Sequence, residues 1–169
     1  MSKYKSDNLS PLWRLYKEAS LHDRCVLILS TWFGSGLLPG APGTFGTLAA
    51  LPLVLALSGL GIGFKAFFLL ILTGISIWAA HRSQGLIGKP DPREVVIDEV
   101  VGFFLTMTFI PFSWWGLGLG FALFRLFDIL KPFPVKKAET LKGGLGIVAD
   151  DIVAGLYGGI CLKVVFLLS

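Results

Sequence analysis

Two short segments of this 169-residue chain each place a pair of acids at the start of an apolar run. Residues 96–102 contain Asp98 and Glu99, the first acid pair, and residues 148–155 contain Asp150 and Asp151, the second acid pair. Carboxylates at the edge of hydrophobic segments are costly unless a positive group compensates them. The pattern predicts that both pairs meet at one membrane surface, around a divalent metal and a phosphate.

Cationic and hydroxyl side chains with the same placement supply the rest of a phosphate site. Arg125 and Asp128 precede Lys131 at the end of one apolar segment, and His81 ends another. Residues 43–47 hold Thr44 and Thr47 among glycines, where the free N–H groups of a helix start would bind an anion. Arginine suits phosphate oxygens because its planar fork donates two parallel hydrogen bonds. An acidic cluster without a cysteine or histidine cluster selects Mg²⁺ before zinc or copper.

Each of these features also has a simpler interpretation. The helix macrodipole favours a single acid near a helix N-terminus by about 0.3–1 kcal/mol, although it explains paired acids in Val/Ile-rich sequence poorly. Arg125 and Asp128 could be an intrahelical ion pair, since they are three residues apart. His81 could be an interface histidine without a role. The Gly-rich segment 143–146, which by itself is a weak phosphate-binding signature, could form only a turn.

Composition places the chain among polytopic membrane proteins. Hydrophobic residues make up 54% of it, the mean hydropathy is +0.74, and only 15% of residues are charged, against roughly 25% in soluble domains. No basic stripe interleaved with stacking aromatics is present, which excludes nucleic-acid binding. Cys25 and Cys161 lack the spacing of a disulfide framework or a zinc site.

The hydrophobic pattern predicts an all-α membrane bundle of about five spans. A polar or amphipathic arm, 1–24, precedes a single membrane domain, 25–169, whose first part is re-entrant or interfacial up to residue 43. Two prolines and three glycines predict that residues 39–47 are not regular helix, and Pro52 should kink the first span. The predicted spans are 45–62, 66–80, 97–112, 115–130 and 147–168.

The basic residues predict which side of the membrane each end of a span faces. Five alternating spans put twelve of the fifteen Lys and Arg residues on one side, which the positive-inside rule makes cytoplasmic. All candidate site residues then lie toward that side. The twelve are Lys3, Lys5, Arg14, Lys17, Arg24, Arg82, Lys89, Arg93, Lys131, Lys136, Lys137 and Lys142.

The two acid-pair segments share a valine, two acids, a β-branched pair and a glycine. Glycines allow helices to approach closely in membranes. We therefore expect the third and fifth spans to lie side by side, so that each lends its acid pair to one site.

Four blocks of sequence, 42–47, 97–102, 124–132 and 143–155, resemble the bacterial phosphatidylglycerophosphatase A family. The resemblance covers roughly residues 28–160 in the family's order and spacing. It implies a Mg²⁺-dependent phosphatase of the bacterial inner membrane that converts phosphatidylglycerophosphate to phosphatidylglycerol and phosphate. The distribution of basic residues would place its active site at the cytoplasmic face. Thr47 stands where serine is expected more often, which keeps the hydroxyl.

Each candidate site residue has a predicted role. Both acid pairs would hold the metal and act in catalysis, and Asp128 would orient Arg125, bind the metal or act as the base. Direct attack by metal-bound water and an aspartyl-phosphate intermediate both stay open. The residues predicted to bind phosphate or substrate are Thr44, Thr47, His81, Arg125 and Lys131.

Two other functions are compatible with intramembrane acids. A small transporter or channel would use carboxylates for cations or protons, but it would place them near the middle of the membrane and would not need Arg125 and Lys131. A CDP-alcohol phosphotransferase would also be Mg²⁺-dependent, but the acidic signature of that family is not found in this sequence.

Overall fold

The computed structural model describes residues 11–169, with side chains from residue 15 onward. These residues form nine α-helices and one short 3-10 helix, with no strand among them, which confirms the all-α prediction. Most of the predicted 1–24 arm lies outside the described side chains. Its described part contains α1 (Pro11–Glu18) and the start of α2 (Leu21–Ser30), so α2 continues across the predicted domain boundary at residue 25.

The segment after α2 folds back before it enters the bundle. A turn leads into a 3-10 helix, Ser35–Leu37, and then into α3 (Pro42–Ala49). The prediction that residues 39–47 are not helical is therefore wrong from Pro42 onward. Proline is well tolerated in the first turn of a helix, where its missing N–H has no intrahelical partner to lose.

Helix α4 (Leu51–Leu57) continues the path of α3 after an interruption at Ala50. Pro52 lies in the first turn of α4, so the predicted kink is confirmed as a break between two short helices. Together they cover the first predicted span, 45–62, only in part.

Two helices are long and apolar enough to cross a membrane. They are α5 (Ile62–Ile87) and α9 (Gly144–Leu168), with 26 and 25 residues. Both exceed their predicted bounds: α5 continues past His81 and ends at Gly88, which has a left-handed φ of 74°. A helix can continue through polar residues once it leaves the apolar layer, so the change in hydropathy at His81 did not mark the end of α5.

Helices α6 (Ile97–Thr108) and α7 (Trp114–Leu130) have 12 and 17 residues. At a rise of 1.5 Å per residue, α6 is about 18 Å long, well short of the roughly 30 Å hydrocarbon core. The prediction of about five spans is therefore not confirmed, since two described helices meet the requirements of a span.

The bundle is built around α6. Every residue of α6 except Glu99 is buried, and the helix packs against α9, α5, α7 and α3. Large apolar side chains instead remain exposed on the outer faces of α5 and α9, as expected for helices that face lipid. These side chains include Phe67, Leu70, Ile71, Ile75, Leu156, Ile160 and Val164.

Helices α6 and α9 touch at glycines, as the echoing segments predict. A Cβ atom on Gly102 would lie 2.6 Å from the carbonyl oxygen of Asp151, and one on Gly155 would overlap the Gly102 carbonyl. The Thr106 hydroxyl lies 3.0 Å from the Gly102 carbonyl oxygen and 3.1 Å from that of Gly155, placed to donate to both. The close approach fixes the position of α9 along α6.

Candidate active site

A cavity of about 720 Å³ opens where the start of α6 meets the end of α7 and the start of α9 and α3. Parts of the 88–96 loop and of the 139–143 segment form its rim. Seven of the ten predicted site residues line it: Asp98, Glu99, Arg125, Asp128, Lys131, Asp150 and Asp151. The fold therefore brings both acid pairs and both predicted phosphate-binding cations to one place.

The first acid pair lies in the first turn of α6, where the macrodipole favours negative charge. The backbone N–H of Val96 donates to the Ser30 carbonyl at 2.8 Å and ties this helix start to α2. Asp98 is only 8% exposed, and its Oδ1 has no hydrogen-bond partner among the described residues. The buried Oε2 of Glu99 is likewise unpartnered within that part of the chain.

The second acid pair lies in the second turn of α9. The helix begins at Gly144, three residues before the predicted start at Ile147, so the pair lies three residues further into the helix than predicted. The early start is possible because Gly144 packs against α5, where a Cβ would lie 2.6 Å from the backbone nitrogen of His81. Asp150 and Asp151 are 6% and 3% exposed. Carboxylates this deeply buried require compensating cations or hydrogen bonds.

Arg125 connects α7 to the first acid pair. Its Nη1 lies 2.6 Å from Asp128 Oδ2 and 3.9 Å from Glu99 Oε1, and its side chain is 15% exposed. The predicted ion pair with Asp128 therefore exists, and it holds the guanidinium at the cavity wall. Arg125 Nε is buried without a partner among residues 11–169, which leaves donor capacity for an anion.

Lys131 ends α7 in a left-handed conformation, with a φ of 44°, and thereby points back toward α9. Its Nζ lies 2.8 Å from Asp150 Oδ2 and 3.2 Å from Glu139 Oε1. Partial burial lowers the pKa of Lys131, but the hydrogen bonds and negative charges of Asp150 and Glu139 outweigh it and raise the pKa above its usual range. Lys131 is therefore a permanent cation at physiological pH.

The start of α3 closes one side of the cavity through its backbone. A Cβ on Gly43 would meet Glu99 Oε1 and would lie 3.0 Å from Arg125 Nη1, so only glycine leaves room there. Thr44 is half-buried beside this glycine and is not among the lining residues. The buried Thr47 hydroxyl donates to the Gly43 carbonyl at 2.8 Å, one turn back in the same helix. The structure thus places the backbone of Gly43, rather than the hydroxyl of Thr47, beside the site.

His81 is not brought to the acid pairs. It is exposed on α5 and lines a separate shallow depression with Lys89 and Gly143. Gln84, one turn further along α5, lines both this depression and the main cavity.

Four charged residues of the cavity rim were not predicted as site residues: Asp91, Arg93, Glu139 and Lys142. Glu139 directly contacts Lys131. Its position eight residues after Lys131 gives no periodic signal, because the pairing depends on how the short helix α8 (Val135–Ala138) folds back. The other three belong to polar segments that the sequence indicates only as loops.

The carboxylates of the cavity fit a hard divalent cation. Oxygens of Asp98, Glu99 and Asp151 lie within 4.8 Å of one another, and so do oxygens of Asp128, Asp150 and Asp151. All donors are oxygens, the set that Mg²⁺ prefers. The buried oxygens without partners in the described chain provide the coordination positions that such an ion would fill.

The sequence of this chain matches the model of one known protein family. The family model described as phosphatidylglycerophosphatase A matches residues 28–166. This range includes every residue that lines the main cavity.

Individual relatives agree with the family match. Phosphatidylglycerophosphatase A of Haemophilus influenzae is 40% identical over 135 residues, covering 78% of this chain and 83% of the relative. The Escherichia coli protein of the same name is 36% identical over 133 residues, covering 76% of each. A provisionally named phosphatidylinositol-3-phosphatase of Bacteroides thetaiotaomicron is 40% identical over 147 residues, covering 82% of this chain and 91% of the relative. No solved structure matches the chain.

Proposed function

This chain belongs to the phosphatidylglycerophosphatase A family, and on that basis we propose that it dephosphorylates phosphatidylglycerophosphate, with Mg²⁺, at the cytoplasmic face of the bacterial inner membrane. As a member of this family it is a phosphatase that acts in phosphatidylglycerol synthesis. The metal requirement and the side of the membrane are parts of the proposal.

The observation that carries the proposal is the meeting of two acid pairs, Arg125 and Lys131 in one cavity. A phosphate monoester is a dianion, and it needs positive charge on several sides to enter an acidic cavity. Arg125 retains free donors, and Lys131 is a fixed cation at the C-terminal end of the same helix, α7. The N–H groups at the start of α3 add a third source of positive potential.

The proposed reaction transfers the phosphoryl group from the lipid to water. The bond between phosphorus and the glycerol oxygen breaks, and a water oxygen forms the new bond to phosphorus. A carboxylate of the cavity takes the proton of the attacking water, and the departing glycerol oxygen gains a proton, so the products are lipid alcohol and inorganic phosphate. Arg125 and Lys131 hold the equatorial phosphate oxygens, and Asp128 fixes the orientation of Arg125.

The Mg²⁺ ion would be held by the two acid pairs. When bound, Mg²⁺ supplies charge neutralisation for the phosphate oxygens and a lowered pKa for water. The residues themselves provide the geometry: α6 and α9 meet at Gly102 and Gly155, and this contact keeps the acid pairs adjacent.

A second candidate substrate comes from the Bacteroides relative, whose name specifies phosphatidylinositol-3-phosphatase. The two lipids share a phosphate monoester on a headgroup and differ in the size of that headgroup. The family match favours phosphatidylglycerophosphate, and it favours a phosphatase over the transporter or phosphotransferase alternatives.

A phosphate-release assay tests this proposal. Purified full-length protein in mixed micelles should release phosphate from phosphatidylglycerophosphate when Mg²⁺ is present and should lose that activity when the metal is chelated. Phosphatidylinositol 3-phosphate, assayed in parallel, should be the poorer substrate. Faster release from the inositol lipid would transfer the proposal to that substrate, and no release from either lipid would refute it.

The Arg125→Lys variant tests the phosphate clamp. Lysine keeps the charge but loses the planar fork, so phosphate release should fall by at least ~10-fold, or about 1.4 kcal/mol of transition-state stabilisation. Arg82→Lys is the matched control, because Arg82 is half exposed and pairs with Asp23 away from the cavity. A fully active Arg125→Lys enzyme would mean that Arg125 serves only as the ion-pair partner of Asp128.

Cysteine labelling in intact cells tests the proposed orientation. In a variant without Cys25 and Cys161, cysteines that replace the exposed Lys89 and Thr140 should resist a membrane-impermeant thiol reagent. A cysteine at Gly59, in the exposed turn between α4 and α5 at the other end of the bundle, should react. The reverse labelling pattern would place the cavity on the external face.

A further inference from the structure

The carboxylates of the cavity form two groups of three that share one residue. The first triad is Asp98, Glu99 and Asp151, and the second triad is Asp128, Asp150 and Asp151. Within each triad, one oxygen per residue lies within 4.8 Å of the other two. Oxygens on opposite sides of a Mg²⁺ ion are about 4.1 Å apart, since each lies 2.0–2.1 Å from it. Adjacent oxygens on the same ion are about 2.9 Å apart, so each triad is compact enough for its three carboxylates to converge on one ion by drawing together.

Both triads contain buried oxygens that no described residue satisfies. In the first triad these are Asp98 Oδ1 and Glu99 Oε2, and in the second triad it is Asp150 Oδ1. The Asp98 and Asp150 side chains are more than nine-tenths buried. Because buried polar atoms in proteins are nearly always paired, an unpartnered oxygen in each triad indicates a ligand for each.

The neighbouring cations do not fill these positions. Lys131 contacts Asp150 through Oδ2 and leaves Oδ1 free, and Arg125 contacts Asp128 through Oδ2. Every carboxylate of the second triad thus keeps an oxygen that neither cation contacts at ion-pair distance in the described structure. The first triad is even less compensated, since its one recorded ion pair is the 3.9 Å approach of Arg125 to Glu99.

Charge balance also favours more than one ion. The seven acids and four basic side chains that line the cavity leave a formal charge of −3 when all are ionised. One divalent cation would leave −1, and the site would still repel a phosphate dianion. Two divalent cations bring the formal charge to +1, which attracts the substrate.

We propose that the cavity holds two divalent cations, one in each triad, with the Asp151 carboxylate bridging them. This inference rests on the proposed function, and it makes Asp128 a metal ligand as well as the partner of Arg125. In enzymes with such pairs, ions about 3.5–4 Å apart act on both the attacking and the leaving oxygen of a phosphoryl transfer. The shared residue Asp151 is the most deeply buried of the four aspartates in the two triads, as a bridge between two ions would be.

Manganese provides a direct count. Metal-free full-length protein in detergent is titrated with Mn²⁺ alone, and free Mn²⁺ is measured from its six-line EPR spectrum. The wild type should bind two Mn²⁺ per chain, and the second ion should produce a spin-coupled signal, because the two lie within about 4 Å. One tightly bound Mn²⁺ per chain, or two ions without spin coupling, would overturn the proposal.

Substitutions assign each ion to its triad. Asp98→Asn and Asp128→Asn should each bind one Mn²⁺ without spin coupling, because each removes a ligand from one triad. Asp151→Asn should lose the coupled pair, since it removes the bridge. Asp91→Asn is the matched control, because this exposed acid lines the cavity but belongs to neither triad, and it should bind two. An Asp128→Asn protein that still binds a coupled pair would refute the second triad.

The count is independent of catalysis. Thermal unfolding without metal verifies that each variant is folded, and the wild-type stoichiometry decides the question even if a variant is not. Two coupled ions in a protein that releases no phosphate from lipids would uphold the metal pair and refute the proposed function. Mg²⁺-dependent phosphate release from a protein that binds one ion would uphold the proposed function and refute the metal pair.

Discussion

Asn variants of Asp98 and Asp150 are each expected to reduce phosphate release from phosphatidylglycerophosphate by at least ~100-fold, a loss of about 2.7 kcal/mol. Asparagine has nearly the volume of aspartate but lacks its charge, so metal binding and the local electrostatics change while packing is kept. The two residues lie on different helices, α6 and α9, yet line one cavity. Initial rates at saturating Mg²⁺ measure the effect, and Asp23→Asn, on α2 and outside the cavity, is the control.

The double variant provides the sharper measurement. If the two acids serve one catalytic unit, Asp98→Asn combined with Asp150→Asn should lose little more activity than either single variant. Mg²⁺ should raise the thermal stability of the wild type in detergent, by about 2.7 kcal/mol at a hundredfold excess over its dissociation constant, and by less in each variant. Losses that multiply in the double variant would show that the two acids act independently.

Gly102→Ala is expected to lower both stability and activity. Its Cβ would lie 2.6 Å from the Asp151 carbonyl oxygen and against the Phe124 ring, so α6 and α9 must separate. Overpacking of this kind costs about 1–3 kcal/mol, which corresponds to a fall of roughly 3–10 °C in the unfolding midpoint. Activity should fall by about 10-fold or more, because separation of the helices also separates the acid pairs.

Gly118→Ala is the matched control for this packing prediction. Gly118 lies within α7 and has no atom within 4 Å of a Cβ built on it. Alanine there should be neutral or stabilising by up to about 1 kcal/mol, because it favours helix over glycine. If Gly102→Ala were as stable and active as Gly118→Ala, the close contact would not position the site.

Hydrophobic patterning was sufficient to predict an all-α protein but not the depth or ends of its helices. The apolar run of α6 was interpreted as a span, yet this 12-residue helix is buried by its neighbours. Burial in protein and burial in lipid select the same residues, so composition cannot distinguish them. The start of α9 was placed too late, because the packing of Gly144 against α5 is a tertiary contact without a sequence signal.

Seven of the ten predicted site residues line the cavity because alternating helices necessarily bring their charged ends together. The spacing of residues along the sequence could not predict where the side chains of Thr47 and His81 point. Thr47 was expected at a helix start but lies in the second turn of α3, so its hydroxyl finds the Gly43 carbonyl four residues back. The rotation of α5 about its own axis determines the direction of His81, and here it faces solvent.

The hydroxyl of Thr106, deep in the apolar bundle, fixes the position of α9 along α6 and so the distance between the two acid pairs. It contacts both helices of the central pair, at 3.0 Å to the Gly102 carbonyl oxygen and 3.1 Å to that of Gly155. A slip of α9 by one turn would move the second acid pair by about 5.4 Å. That shift exceeds the 4.8 Å within which the oxygens of each triad gather. An uncharged contact, about two turns along α6 from the first acid pair, therefore sets the spacing of the carboxylates in the cavity.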